Sequence, residues 1–202
     1  MRRGRFAAAL LILIFAGANP GRAQSLGAIA GGTSWGENSA DLLRHFGAAA
    51  TALPRPLDFG DSYADVVLRR VALGGYGVIV YFQMDKTTHG LKRIQLERPR
   101  HGATPPAFRA AAVALDTEFG APDKLCGIRP GPASGYQEAA ERIWVRDGRV
   151  IRAIFRDTTR EAFEGCIATV GPCGLTAQLL VRISPLGADA PECPAPPRRV
   201  NG

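Results

Sequence analysis

This chain is poor in the residue types that announce chemistry. Among its 202 residues there are three histidines, two tryptophans and four cysteines. His45, His89 and His101 stand far apart, and none has a Cys, Asp or second His at a ligand or triad spacing. Each has an ordinary explanation. His45 falls one residue before a helix end, where an imidazole suits the helix dipole, and His89 and His101 fall in polar connections. No RNP-like motif, zinc finger or Lys/Arg run is present, which argues against strong nucleic-acid binding, since that needs clustered phosphate contacts. The longest apolar run, residues 6–16, is about eleven residues against the roughly 20 a membrane-spanning helix requires. The sequence therefore names no catalytic residue, no metal ligand and no cofactor.

What the N-terminus does hold is a targeting pattern. Arg2, Arg3 and Arg5 precede the apolar run, and Gly21-Arg22-Ala23 supplies small residues at a cleavage position. Residues 1–23 are thus expected to be a Sec-type signal peptide, leaving a periplasmic or secreted mature chain without a transmembrane segment. An arginine pair of the twin-arginine kind is less well matched, because the first aromatic, Phe6, comes one place late. Removing the signal takes away four arginines and lowers the formal charge from +7 to +3. Much of the basicity is targeting.

All four cysteines, Cys126, Cys166, Cys173 and Cys193, lie in the second half. An even number in an exported chain points to two disulfides, with three connectivities open. Cys166 and Cys173 bracket a Gly/Pro-containing loop and form the natural local pair, which leaves Cys126 for Cys193. The spacings fit no familiar zinc pattern.

A repeat organises the rest. Phe46-Gly47 and Phe119-Gly120 are 73 residues apart, and the same offset lays Trp35 on Phe108, Leu42 on Leu115, Tyr63 on Tyr136, Gly75 on Gly148, Val78 on Ile151 and Phe82 on Phe155. Each Phe-Gly reads as a helix stop, with glycine accepting the left-handed conformation past the last turn. The first helix starts at Asn38 or Ser39, and the second at Thr104 ahead of Pro105 and Pro106, where missing amide hydrogens cost little. Phe108, Ala111, Ala112, Leu115 and Phe119 form its apolar stripe. Pro54 and Pro56 block continuation of the first helix.

After each helix the period turns strand-like. Residues 66–73, 78–84 and 91–97 read as a meander turned at Gly74-Gly75, and residues 142–146, 150–157 and 175–183 as a second one turned at Asp147-Gly148. An insertion carrying Cys166 and Cys173 puts the last strand out of step. The expected fold is α+β: two tandem α-β-β-β units with the helices packed on one face of antiparallel sheet. Residues 24–100 form the first unit with a flexible N-terminal segment, 101–186 the second, and 187–202 a Pro-rich tail.

The elements around residues 42–47 and 115–122, each leading into a meander, resemble the tandem helix-plus-sheet modules of the β-lactamase inhibitory protein and of the small outer-membrane lipoproteins of the SmpA/OmlA type. The resemblance spans about residues 33–184. It implies an exported, non-enzymatic protein that presents a sheet face or loops to another protein. No Cys follows the apolar run, so the lipid anchor of the lipoprotein family is not matched.

Candidate chemistry is thin. Asp116 and Glu118 are two apart on a helix and point to different sides. Asp58, Asp61 and Asp65 precede a strand without the Gly and distal Glu of a calcium loop. The glycines at 27–32 lack the strand-to-helix setting of a phosphate loop. The candidate surface is arginine-rich: Arg142, Arg146, Arg152, Arg156 and Arg182, with Trp144 among them and Tyr81 on the first meander. Trp144 depends on register. A three-residue loop places it among the arginines, whereas a two-residue loop opposes it to Ile151 and turns it into the core, where its repeat mate Val71 belongs.

The expected function is an exported, non-enzymatic interaction module of the periplasm or cell envelope, with an unknown envelope protein as partner. The alternatives are an exported hydrolase of an envelope polymer, requiring a His and a carboxylate about 3 Å apart, and a protein that binds anionic lipid or lipopolysaccharide.

Overall fold

The computed structural model describes residues 25–98, 103–126, 138–157 and 177–188. Among these residues three α-helices, α1 (Leu26–Gly31), α2 (Ser39–Phe46) and α3 (Pro105–Phe119), accompany eight strands. The strands are β1 (Ala50–Asp58), β2 (Ser62–Leu73), β3 (Tyr76–Asp85), β4 (Leu91–Glu97), β5 (Lys124–Cys126), β6 (Glu138–Arg146), β7 (Arg149–Asp157) and β8 (Ala177–Pro185). They form one antiparallel sheet in the order β1-β2-β3-β4-β8-β7-β6-β5. The fold is α+β.

Local chemistry explains the helix ends. Asn38 accepts a side-chain hydrogen bond from the Asp41 amide at 3.0 Å, and Thr104 accepts one from the Ala107 amide at 3.3 Å. Both caps satisfy donors that have no intrahelical partner. Gly47 and Gly120 end α2 and α3 with φ of 51° and 78°, a region that glycine enters without steric cost.

One strand position per element lines up across the sheet in the series Val66, Phe82, Ile94, Ile183, Ile151 and Trp144. All six belong to a single buried cluster that also contains Leu42 and Phe46 of α2 and Ala107, Phe108, Ala111 and Leu115 of α3. Alternation along the strands sends the intervening residues to the opposite face. That second face holds polar side chains, with Gln83, Arg93, Gln95 and Glu141 all buried.

Two expectations need correction. Residues 24–32 were expected to be flexible, yet α1 occupies most of that stretch. Ser25 caps it through Ala28, and Leu26, Ile29 and Ala30 enter the core at an i, i+3, i+4 spacing. The abundance of glycine and alanine concealed a short apolar stripe. The first meander also gains a strand: residues 50–58 pair with β2 at the sheet edge despite Pro54 and Pro56. Proline cannot donate to a ladder, but an edge strand has one side free of partners. The second half likewise gains the three-residue β5, so each helix that carries a Phe-Gly stop is followed by four strands instead of three.

Candidate functional site

The β6–β7 hairpin settles the position of Trp144. Asp147 and Gly148 have φ of 49° and 70°, the positive pair that a two-residue turn of matching twist demands. Arg146 therefore opposes Arg149, and Trp144 opposes Ile151. Trp144 is fully buried, and its indole Nε1 donates to the Gly120 carbonyl at 2.9 Å. A Trp exposed among arginines is thus excluded, and Trp144 leaves the set of residues able to touch a partner.

The candidate arginines separate by face. Arg142 shares the helix side with Trp144 and forms an ion pair with Asp116 of α3 at 2.9 Å. Arg146 donates through Nε to the Phe119 carbonyl at 2.7 Å and through Nη2 to the Ala121 carbonyl at 2.8 Å, and it pairs with Asp123 at 2.6 Å. These two clamp the end of α3 to β6. The Val145 amide and the Arg146 guanidinium, both bonded to the Asp123 carboxylate, hold its pKa below the usual value.

Arg152 and Arg182 lie on the opposite face together with Tyr81. The cross-strand series runs Val67, Tyr81, Gln95, Arg182, Arg152 and Ile143, crossing β2, β3, β4, β8, β7 and β6. Tyr81 and Arg182 are partly exposed, the Arg152 side chain is only 11% exposed, and Gln95 is buried. Two guanidinium side chains thus stand directly opposite each other, a pairing that costs stability in an antiparallel ladder. Part of that cost is offset nearby: Arg152 is bonded to Glu141, and Arg182 donates to the Gln95 side chain at 2.9 Å. Arg156 pairs in β7 with Gln178.

A second polar group lies on the same face toward the start of β2. Arg93 donates to Gln83 at 2.5 Å, to Asp61 at 2.7 Å and to Ser62 at 3.2 Å. Burial alone would raise the Asp61 pKa, but hydrogen bonds from Lys92 and Arg93 outweigh it and hold the carboxyl at about 2. Asp58 accepts from Lys86 at 2.9 Å, and Asp65 accepts from Ser39 at 2.8 Å. The three aspartates considered as cation recruiters are occupied by the chain's own groups.

The histidines are dispersed. The His89 Nδ1 lies 2.9 Å from the Tyr63 hydroxyl, and the His45 ring packs edge-on against Phe46. His45 also lines a shallow groove with Trp35, Glu37, Asp41 and Arg44. There the Glu37 carboxylate accepts from the Ser34 amide at 3.1 Å, and Asp41 pairs with Arg44 at 2.8 Å. Asp116 and Glu118 diverge as expected, the first toward Arg142 and the second onto the Gly27 amide at 2.5 Å. No cluster of three His, Cys, Asp or Glu suited to a metal occurs among the described residues. No helix of the described residues is long and apolar enough to cross a membrane.

Cys126 is buried beside Ile143 and Val150 and carries no free thiol. Cys166, Cys173, Cys193, His101 and residues 1–24 lie outside the described residues, as does the tail from 189.

Sequence reasoning selected Tyr81, Arg152 and Arg182 but missed Gln83, Arg93, Gln95 and Glu141. A signal existed in β4, where Arg93, Gln95 and Glu97 alternate with Ile94 and Leu96. In comparison with known proteins, the chain matches no family model, no curated protein and no solved structure.

Proposed function

We propose that this chain is an exported, non-enzymatic interaction module of the cell envelope that binds an acidic protein surface through the sheet face opposite its helices. The observation that carries the reading is the row Tyr81, Gln95, Arg182 and Arg152. It crosses the central β4–β8 pair and sets two arginines opposite each other, at a cost that the bonds to Glu141 and Gln95 offset in part. An aromatic residue among arginines is a composition favoured at protein interfaces. Export rests on the N-terminal pattern, with cleavage after Ala23, and two disulfides among the four cysteines suit that compartment.

The tandem reading belongs to the same proposal. Moving β2 and β3 by 73 residues lands on β6 and β7, and the strand order is mirrored about β4 and β8. Two α-β units, each carrying its helix on the same side, would join through their last strands. A family likeness to the β-lactamase inhibitory protein and SmpA/OmlA modules fits that arrangement. The test is photo-cross-linking from position 81, with Tyr81 replaced by benzoylphenylalanine in the otherwise intact chain. An envelope protein captured from this position, and lost when Arg182→Glu is added, supports the reading; absence of capture contradicts it.

A further inference from the structure

The connection from α1 to α2 and the solvent-facing side of α2 line a groove of about 660 Å³, the size of a small-molecule site. Its walls are held by the chain itself. The Gly36 amide donates to the Leu91 carbonyl at 2.9 Å, and the Leu91 amide donates to the Glu37 carbonyl at 2.8 Å, so the start of β4 fixes the connection. A Cβ on Gly90 would meet the Gly36 Cα at 2.8 Å, and its absence lets the two backbones approach. From β7, Arg149 donates to the Thr33 carbonyl at 3.2 Å and lays its guanidinium over the Trp35 ring, 5.9 Å from the centroid.

The groove combines an aromatic ring with hydrogen-bonding groups of mixed kind. Trp35 is half-buried and backed by the apolar cluster, whereas Trp144, the other tryptophan of the chain, is fully buried. Beside Trp35 stand Glu37, Asp41, Arg44 and His45. Asp41 pairs with Arg44 at 2.8 Å, and the Glu37 Oε2 accepts from the Ser34 amide at 3.1 Å. His45 reaches its place because Gly32 has no side chain, since a Cβ there would meet the His45 Nε2 at 2.6 Å. Carboxylate, guanidinium and imidazole together leave little net charge, so neither a phosphate nor a cation is the natural occupant. A hydroxyl both donates and accepts, and pairs with all three. Packing accounts for the buried part of Trp35 but not for the mixed polar groups around the rest of it.

We propose that this groove binds a pyranose unit of an uncharged, β-linked glycan. A pyranose with equatorial substituents offers a flat face of C–H bonds for the indole and a rim of hydroxyls for the polar side chains. Little reorganisation is needed, because the connection is already tied to β4 and β7. The site goes beyond the interaction-module reading and does not depend on it. Trp35 packs with α1 and α2 on the helix side of the sheet, whereas the Tyr81 row lies on the opposite face.

The test is saturation-transfer NMR on the full chain with the N-acetylglucosamine trimer and with cellotriose, and with trigalacturonate as the anionic control. The expected result is transfer to the ring protons of at least one uncharged trimer, with affinity about tenfold weaker in Trp35→Ala and in Glu37→Gln. Glu37→Gln keeps an acceptor for the Ser34 amide, so it decides the case if Trp35→Ala fails to fold. No transfer to either uncharged trimer, tighter binding of trigalacturonate, or affinity unchanged in a folded Glu37→Gln protein overturns the inference. Cross-linking from position 81 should proceed undiminished in excess trimer. Capture from position 81 without sugar binding leaves the face reading standing and removes the groove proposal, and the converse result does the reverse.

Discussion

Trp144 shows how a residue selected for binding becomes a structural one. Its indole is buried against both the sheet core and the α3 stop, so Trp144→Ala should lower stability by about 3–5 kcal/mol, read by chemical denaturation. Trp144→Phe should lose less because it keeps most of the apolar volume, although the bond to Gly120 disappears. A Trp144→Ala protein as stable as the parent would contradict the core placement. Asp61 makes a second residue-scale case. Its folded pKa of about 2 lies below the unfolded value of about 3.9. Its contribution is therefore present above about pH 4 and is lost as pH falls through 2. Asp61→Asn should reduce stability at neutral pH and flatten its decline between about pH 4 and 2 in acid titrations monitored by circular dichroism. The carboxylate is about half exposed, which keeps the effect modest.

At the scale of elements, the turns carry specific demands. Gly74 and Gly75 both have positive φ, 58° and 81°. They differ in surroundings: a Cβ on Gly74 would meet the Ala110 backbone of α3 at 2.4 Å, whereas one on Gly75 would meet nothing within 4 Å. Gly74→Ala should thus destabilise clearly more than Gly75→Ala, which bears only the backbone strain of about 1 kcal/mol. Equal melting temperatures for the two variants would refute the close packing of this turn against α3. The α1 helix should likewise prove integral. Ile29→Ala, at a position with no exposure, should cost about 2–5 kcal/mol.

These elements also show which parts of the fold a sequence can disclose. The β2, β3, β6 and β7 strands were legible because alternation and glycine turns act locally. The helix stops at Gly47 and Gly120 were legible for the same reason. β1 was not, because its prolines contradict strand propensity and only the free sheet edge makes room for them. α1 was not, because a six-residue helix acquires its stability from packing that no local pattern records. The Trp144 ambiguity came from a one-residue choice of register, which the two positive φ values at Asp147 and Gly148 resolve.

At the scale of the whole molecule, the sheet's two faces differ in chemistry. The helix side buries a continuous apolar cluster from Leu26 to Ile183. The other side places Tyr81, Gln95, Arg182 and Arg152 in one row across the middle of the sheet. Sequence supplied three of these four residues but not their adjacency, since β4 and β8 meet only through a pairing distant in the chain. Opposed like charges in that row suit recognition of an acidic partner better than they suit stability.

Arg182→Glu separates those two roles most directly. It places a carboxylate opposite Arg152, so the account predicts a stability within about 1 kcal/mol of the parent and loss of the partner captured from position 81. Undiminished capture by a folded Arg182→Glu protein would contradict the account.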